Sequence, residues 1–213
     1  MTLSIVCVTN CEPHALKFIE HFRQCADSLH AELIIGIDNH NAPLELVRLA
    51  DIVVEVKSKG YIESVLDQVM DQCAGDYVLR LDDDEKISAS LLSWLKTREY
   101  ESGDVFAFPR PYFWGDEKHI LADLLPDLQT RLTTWSKAGG RYKIHAGSPF
   151  GTGKIIQHPI EHYKFLVKTR EQREEIMRRY ESIRPGAGTE RCFGMYNMPE
   201  LYFERLTITD YSQ

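Results

Sequence analysis

Short apolar runs alternate along the first half of the chain with segments in which apolar residues recur every three or four positions. The apolar runs are 3–9, 32–38, 52–56, 77–81 and 105–108. The periodic segments are 13–30, 61–74 and 89–98, and Ser88 is the predicted N-cap of the last one. Apolar runs of this length indicate strands buried on both faces, and helices between them indicate parallel neighbours. The pattern therefore predicts an α/β fold with a mainly parallel sheet and helices on both of its faces.

The predicted strands end in residues that carry chemistry. Asn10 follows the first strand, Asp38 closes the second, Ser58-Lys59-Gly60 follows the third, and Asp82-Asp83-Asp84-Glu85 follows the fourth. In mainly parallel sheets, ligands bind in the crevice beyond the carboxyl ends of the strands. We therefore expect these groups to converge on one ligand-binding edge.

Four adjacent carboxylates, at positions 82–85, are the most informative feature of the sequence. At about 4 Å each close pair of charges costs roughly 1 kcal/mol in water, and several-fold more beside an apolar wall. A divalent cation such as Mg²⁺ or Mn²⁺ removes that cost and binds one or two carboxylates together with substrate phosphates. In an extended segment Asp82 and Asp84 would lie on the same side. The alternative is a solvated acidic loop that favours the N-terminus of the helix after Ser88.

Composition argues against several classes of protein. The chain has 213 residues, of which 43% are hydrophobic and 27% charged, and its formal net charge is −7. Such values are typical of a folded globular chain and not of a disordered one or one that coats nucleic acid. The cysteines are scattered and lack CxxC pairs, so we expect reduced thiols and no zinc site. Because we find neither an apolar run of about 20 residues nor a signal peptide, we predict a cytoplasmic protein.

Three segments resemble the GT-A-fold nucleotide-sugar glycosyltransferases of the family 2 type. They are Ser4-Ile5-Val6 with Thr9-Asn10, Ile34-Ile35-Gly36-Ile37-Asp38, and the stretch from Gly75 to Glu85. Residues 79–85 are similar to the strand-end Asp-x-Asp signature of these enzymes in its Leu-Asp-x-Asp-Glu form. The resemblance covers residues 3 to 165 and implies a GT-A-like (Rossmann-like) single domain. It also implies transfer of a sugar, with inversion, from a nucleoside diphosphate donor to an acceptor hydroxyl, with a UDP-sugar favoured and Mn²⁺ or Mg²⁺ on the diphosphate.

The resemblance assigns donor and metal roles to residues of the first half and to one histidine of the second. It places Thr9 and Asp38 at the nucleoside and Lys59 or Gly60 close by. Donor contacts are further assigned to Asp82 and Asp83, and metal contacts to Asp82, Asp84 and His162. The histidine is included because Ile160-Glu161-His162-Tyr163 resembles a downstream motif of the family whose histidine completes the metal shell.

The segment Pro126-Asp127-Leu128-Gln129-Thr130-Arg131-Leu132 resembles one in which relatives place an acid and an arginine facing the donor. Asp127 is therefore the predicted catalytic base, and Arg131 is predicted to stabilise the departing diphosphate. Asp116, Glu117 and Asp123 compete with Asp127 for the role of base. His145 lies in a stretch that resembles a Val-His-Glu motif of the family.

We expect one compact domain in three parts. Residues 1–104 form the nucleotide-sugar-binding half, 105–165 the acceptor and catalytic half, and 166–213 a C-terminal helix and extension, whose apolar residues allow for a homo-oligomer. The aromatic stretch 106–114 is either core or a stacking wall for a sugar or base. The charged segment 170–184 is either a solvated helix or a site for an anionic acceptor, such as a phosphorylated glycan, a lipid head group or a DNA base.

Two other classes of function stay open. A nucleotidyltransferase also uses a nucleotide, a divalent ion and an α/β sheet, but it favours a basic glycine-rich loop after the first strand, where this chain has Asn10-Cys11-Glu12. A non-catalytic module would bind a sugar nucleotide or glycan without transfer. A P-loop is excluded for residues 147–155, because the leading glycine is one place off and Ile155 stands where Ser or Thr should bind magnesium.

Overall fold

The computed structural model describes residues 1–38, 42–134 and 153–211. In chain order the strands are β1 (Leu3–Thr9), β2 (Glu32–Ile37), β3 (Ile52–Glu55), β4 (Tyr77–Asp82), β5 (Glu85–Ile87), β6 (Val105–Pro109), β7 (His119–Leu121), β8 (Leu128–Thr134), β9 (Lys154–Ile155), β10 (Ile160–His162) and β11 (Ile208–Asp210). The helices are α1 (Ala15–Leu29), α2 (Leu44–Val47), α3 (Leu66–Met70), α4 (Ala89–Thr97), α5 (Lys164–Val167), α6 (Arg170–Ile183) and α7 (Arg191–Gly194). Short 3₁₀ turns span Ile62–Ser64, Glu99–Ser102, Ala122–Leu124 and Pro199–Leu201.

The main sheet has the strand order β3-β2-β1-β4-β8-β6-β9 within the described residues. Strands β1 to β4 are parallel to one another, as are β6 and β9, whereas β8 runs antiparallel to both of its neighbours. The predicted mainly parallel α/β sheet is therefore confirmed. All five predicted strands are present, and β8 is an addition that the apolar pattern did not predict.

Side chains of β1 alternate between two apolar layers. Ile5 and Cys7 pack with α1 and α4 in one buried cluster, while Val6 and Val8 pack with α3 in another. Every residue of β1 is buried. This burial on both faces explains why the strand is an uninterrupted apolar run, and it confirms that helices cover both faces of the sheet.

The helix predicted over residues 61–74 is shorter than expected. The chain forms a 3₁₀ turn at Ile62–Ser64 and then α3 (Leu66–Met70). Ser64 Oγ donates to Tyr61 O at 2.7 Å and accepts from Lys59 N at 2.9 Å. A serine side chain that bonds nearby backbone groups competes with helical hydrogen bonds. The periodic positions Leu66, Val69 and Met70 are nonetheless buried as predicted. The other two predicted helices are present, and Ser88 Oγ accepts from Leu91 N at the start of α4.

Gly36 permits the close contact between β2 and α3. A Cβ at this position would lie 2.6 Å from Val69 Cγ2 and 3.0 Å from Val8 Cγ2. Because overpacking costs roughly 1–3 kcal/mol, Gly36→Ala should lower the free energy of unfolding by about that amount, as measured by urea denaturation. In Gly36→Ala/Val69→Ala the 2.6 Å contact with Val69 is absent and only the 3.0 Å contact with Val8 remains, so the loss should be smaller than the sum of the two single losses. Strictly additive losses would contradict this packing argument.

A small second sheet, formed by β5 and β10, brings a later part of the chain back to the end of β4. Strand β5 pairs antiparallel with β10, so that Glu85 lies opposite His162 and Ile87 opposite Ile160. The sequence pattern predicted neither strand, because three-residue strands carry too little periodicity to detect. This ladder brings the histidine motif to the acidic run, across more than 70 residues of chain.

The described cysteines are all free, as expected. Among the helices that the structure describes, none combines the length and the apolar character that crossing a bilayer requires.

Candidate active site

A cavity of about 550 Å³ opens at the carboxyl ends of the four parallel strands. The predicted site residues that line it are Thr9, Asp38, Gly60, Asp82, Asp83, Asp84, Arg131 and His162. Lys59 and Asp127 are not among its lining residues. The cavity thus brings together residues that are far apart in sequence, at the sheet edge where the strand ends were expected to converge.

The acidic run is buried and turned, not extended. Asp82 ends β4, residues 83 and 84 form a turn, and Glu85 begins β5. Asp83 and Asp84 are 7% and 6% exposed, and Glu85 is fully buried. The alternative of a solvated acidic loop is therefore wrong. The expected alternation of side chains along an extended segment does not apply either, because the backbone turns between the two strands.

Each aspartate of the run has its own partner. Asp82 Oδ2 accepts from Arg131 Nη2 at 2.5 Å, and Asp83 Oδ2 accepts from Thr9 Oγ1 at 2.6 Å. Asp84 Oδ1 lies 3.1 Å from His162 Nε2. In the described part of the chain, no group of three or more His, Cys, Asp or Glu side chains is already arranged around a metal position.

The pair of Asp84 and His162 has the donor chemistry of a divalent-metal site. The Tyr163 N–H donates to the Asp84 carbonyl at 2.8 Å and fixes the turn against β10. Burial opposes ionisation of Asp84, but the neighbouring His162 outweighs it and holds the pKa of this carboxyl well below its usual range. His162 Nδ1 is buried and has no hydrogen-bond partner among the described residues. A carboxylate beside an imidazole with a free nitrogen fits Mn²⁺ or Mg²⁺ with substrate phosphates as further ligands.

A charged network lies beneath the cavity floor. Arg131 Nη2 donates to Glu85 Oε1 at 2.6 Å, and Arg110 Nη1 donates to the same oxygen at 3.0 Å. Arg110 Nε also donates to Asp127 Oδ2 at 2.8 Å. Burial, followed by the charge of Asp82, raises the pKa of Glu85 to about 8, while Arg110 opposes that rise. The network fixes the base of the acidic turn from below.

Asp127 lies behind the cavity wall and its oxygens are occupied. Its Oδ2 accepts from Arg110 and from the Tyr112 hydroxyl at 2.7 Å, and its Oδ1 accepts from Gln129 Nε2 at 2.6 Å. Burial opposes ionisation, but the Arg110 charge outweighs it and lowers the pKa of Asp127. These contacts position Arg110 and Tyr112, which do line the cavity. Its predicted role as base stays a prediction.

The three competing acids lie away from the cavity. Asp116 Oδ1 contacts His119 Nδ1 at 2.7 Å, Glu117 pairs with Lys17, and Asp123 accepts from the Thr207 N–H at 2.5 Å. None of the three is a lining residue of the cavity.

The opposite end of the cavity is built by the loops after β2 and β3. Asp38 Oδ1 accepts from the Ser58 N–H at 2.9 Å, which ties the two loops together. Gly60 has a φ of +88°, a conformation that only glycine adopts readily. A Cβ at Gly60 would lie 3.1 Å from Ile183 Cδ1, so helix α6 covers this end.

The C-terminal helix is more than a solvated surface. Ile176, Arg179 and Tyr180 of α6 line the cavity, as do Phe193 and Tyr196 after it. Lys164 and Lys168 line the cavity near Asp84 and were also missed by sequence reasoning. Their four-residue spacing directly after the histidine motif was the available signal.

Of the aromatic stretch, Phe106, Phe108 and Phe113 are core, whereas the buried Tyr112 also borders the cavity. His145 and residues 147–152 lie outside the described residues.

No protein-family model matches the chain, and no curated protein matches its sequence significantly. Solved structures match its fold. Residues 1–349 of TarS from S. aureus superpose with a TM-score of 0.55 at 13% identity, over 92% of this chain and 74% of that one. The same fragment in complex with UDP-GlcNAc gives 0.55 at 14% identity, over 92% and 75%. The chain spans 45% of the longer TarS chain.

A mannosyltransferase, PcManGT from Pyrobaculum calidifontis in complex with GDP-Man and Mn²⁺, matches with a TM-score of 0.54 at 12% identity, over 85% of this chain and 61% of that one. At these identities the likeness concerns the fold. The chain therefore has the fold of the GT-A-type nucleotide-sugar glycosyltransferases, as the Asp-x-Asp resemblance implied.

Proposed function

We propose that the protein is a metal-dependent glycosyltransferase that moves a sugar from a nucleoside diphosphate donor to an acceptor hydroxyl. The observation that carries the proposal is the delivery of Thr9, Asp38 and the acidic turn to one cavity by the ends of parallel strands. The fold supports it, because solved proteins with this fold are bound to UDP-GlcNAc or to GDP-Man with Mn²⁺.

The nucleoside would bind between the loops after β2 and β3. Asp38 offers carboxylate oxygens for sugar hydroxyls or a base N–H, and Ser58 holds it in place. Gly60 lets the backbone approach the ligand closely. Lys59 does not line the cavity, so of the two residues expected close to the nucleoside we assign Gly60. A UDP-sugar stays the favoured donor.

The diphosphate would lie at the acidic turn. Asp84 and His162 would hold the divalent ion, with Asp82 as a third ligand on release from Arg131. When bound, the ion neutralises charge on the departing diphosphate. Asp82 and Arg131 are already in contact at 2.5 Å, so their side chains are ordered before a ligand arrives. Asp83, held by Thr9, supports the turn from the β1 side.

In the transfer itself, the acceptor oxygen bonds to the anomeric carbon while the bond from that carbon to the phosphate oxygen breaks. The bonding electron pair leaves with the nucleoside diphosphate, and the proton of the acceptor hydroxyl passes to a base. Asp127 is the predicted base, with Tyr112 between it and the cavity. Inversion at the anomeric carbon is the expected outcome. Phe193 and Tyr196 of the C-terminal segment would border the acceptor, which we propose to be anionic.

A nucleotidyltransferase and a non-catalytic binding module are the alternatives. Against the first, the loop after β1 contributes Asn10 and Glu12 to the cavity and not a basic residue. Against a binding module, the cavity holds basic side chains that could stabilise a departing diphosphate as well as bind a donor.

Incubation with a panel of nucleotide sugars and Mn²⁺ tests the proposal through the nucleoside diphosphate released. We expect release from one donor class, faster with the right acceptor and abolished by EDTA. A sugar 1-phosphate and a nucleoside triphosphate, assayed for pyrophosphate, form the parallel arm. Pyrophosphate release would support the nucleotidyltransferase, and donor binding without any release would support the binding module.

A further inference from the structure

Lys164 is a basic residue of the cavity wall, and none of the described carboxylates forms an ion pair with it. It begins α5, two residues after His162, and it is half-buried. Its Nζ contacts the neutral Asn197 Oδ1 at 2.5 Å. Among the described residues, no carboxylate oxygen lies within 4.0 Å of this ammonium group, and the nearby Asp84 is already paired with His162.

Lys168, one helical turn further on, shows the contrast. It also lines the cavity, but its Nζ forms an ion pair with Glu12 Oε2 at 2.8 Å. The two lysines therefore differ in the one property that matters for an anionic ligand. The charge of Lys168 is compensated by Glu12, whereas no described carboxylate lies within ion-pair distance of Lys164. Removing a charge from water without a partner is unfavourable, so this position suits an anion that arrives with the ligand.

The C-terminal segment holds Lys164 in place. Asn197 is 1% exposed, and its backbone carbonyl oxygen accepts from Arg173 Nη1 at 2.6 Å. Arg173 is buried in turn and pairs with Glu200 at 2.7 Å. The Asn197 side-chain nitrogen donates to the Phe193 carbonyl at 3.4 Å, which leaves its oxygen to face the lysine. Asn197 is thus fixed by one backbone contact and by contacts of both ends of its side-chain amide.

We propose that Lys164 binds the diphosphate of the donor and stabilises its negative charge as it departs, and that Asn197 is the residue that positions it. This inference rests on the proposed function, since it names a further group acting on the same leaving diphosphate. Two cations would then share that charge: the divalent ion at Asp84 and His162, and the ammonium group of Lys164. It follows that part of the affinity for a diphosphate survives removal of the metal.

Calorimetric titration in EDTA tests the inference. The affinity for UDP is compared with that for uridine, and the affinity for GDP with that for guanosine. For whichever base binds more tightly, the ratio of diphosphate affinity to nucleoside affinity gives the contribution of the diphosphate. The wild type should bind the diphosphate more tightly than the nucleoside. Because a charge-assisted hydrogen bond contributes about 1.5–3 kcal/mol, Lys164→Met should reduce that ratio by about 10-fold or more. Lys164→Arg should retain most of it, and nucleoside affinity should not change in either variant.

Two further variants complete the design. Lys168→Met/Glu12→Gln is the matched control, and it should change the ratio less than about 3-fold because it removes an ion pair and leaves the net charge of the cavity wall unchanged. Asn197→Asp keeps the shape of the side chain but adds a carboxylate beside the ammonium group, so it should lower diphosphate affinity and leave nucleoside affinity intact. Nucleoside binding reports that each variant is folded.

An unchanged ratio in Lys164→Met, or an equal loss in Lys168→Met/Glu12→Gln, would overturn the assignment while leaving the proposed function standing. A wild-type protein that binds nucleosides and diphosphates equally in EDTA but gains diphosphate affinity with Mn²⁺ would do the same. A wild type that binds no nucleoside diphosphate under either condition would overturn both.

Discussion

Replacing Asp84 with asparagine should weaken Mn²⁺-dependent binding of the donor diphosphate by at least about 100-fold, since loss of even a supporting group around a metal costs 10- to 100-fold. Asp84 combines a buried, ionised carboxylate with a histidine 3.1 Å away. Asparagine retains the shape but not the charge that a divalent ion requires. Calorimetric titration of UDP or GDP, with Mn²⁺ and with EDTA, measures the effect.

The control for this variant is Glu161→Gln. Glu161 is also buried and lies on the same strand as His162, but it contacts Tyr163 and Tyr211 and does not line the cavity. Glu161→Gln should bind the diphosphate with Mn²⁺ as tightly as the wild type does. In EDTA, Asp84→Asn and the wild type should have similar affinities. A variant that still gains affinity from Mn²⁺ to the wild-type extent would show that the ion, if any, binds elsewhere.

Replacing Arg131 with methionine should produce the largest loss of stability, about 3–5 kcal/mol, because it leaves buried carboxylates without their compensating charge. The Arg131 guanidinium is fully buried and contacts Asp82 at 2.5 Å and Glu85 at 2.6 Å. Burial and the charge of Asp82 already raise the pKa of Glu85 to about 8. Urea denaturation at pH 9, where Glu85 is ionised, measures the change in the free energy of unfolding.

A double-mutant cycle with Glu85→Gln separates this effect from lost packing. If the damage comes from the unpaired carboxylate, Arg131→Met/Glu85→Gln should be more stable than Arg131→Met alone. If the second substitution adds its own loss in full, the electrostatic explanation is wrong and Arg131 acts through its hydrocarbon volume.

The sequence predicted best those elements whose apolar residues both form a local pattern and are buried in the folded protein. Strands β1 to β4 are buried on both faces, so their apolar runs are visible in any window of the chain. The acidic turn follows one of them directly, and its position at a strand end is enough to predict a site. The same reasoning found Asp38, whereas Thr9 was assigned through the resemblance to the GT-A-fold enzymes.

Prediction failed where the fold uses polar strands or distant partners. Strand β8 contains Gln129, Thr130 and Arg131, because its side chains serve the charged network and not an apolar layer. Asp127 was predicted as the base from a resemblance of residues 126–132, and only the structure reveals the three hydrogen bonds that hold it behind the wall. The contrast between Lys164 and Lys168 depends on which described carboxylates lie within ion-pair distance of each lysine, and a sequence cannot display that.

The ladder between β5 and β10 is only three residues long on each side. Regions with few backbone hydrogen bonds open at lower free energy than the core of a sheet. Strand β10 of this ladder is nevertheless buried, and the His162 backbone also donates to Pro111 O and accepts from the Phe113 N–H. The place of His162 beside Asp84 therefore depends on residues 111–113 as much as on the short ladder.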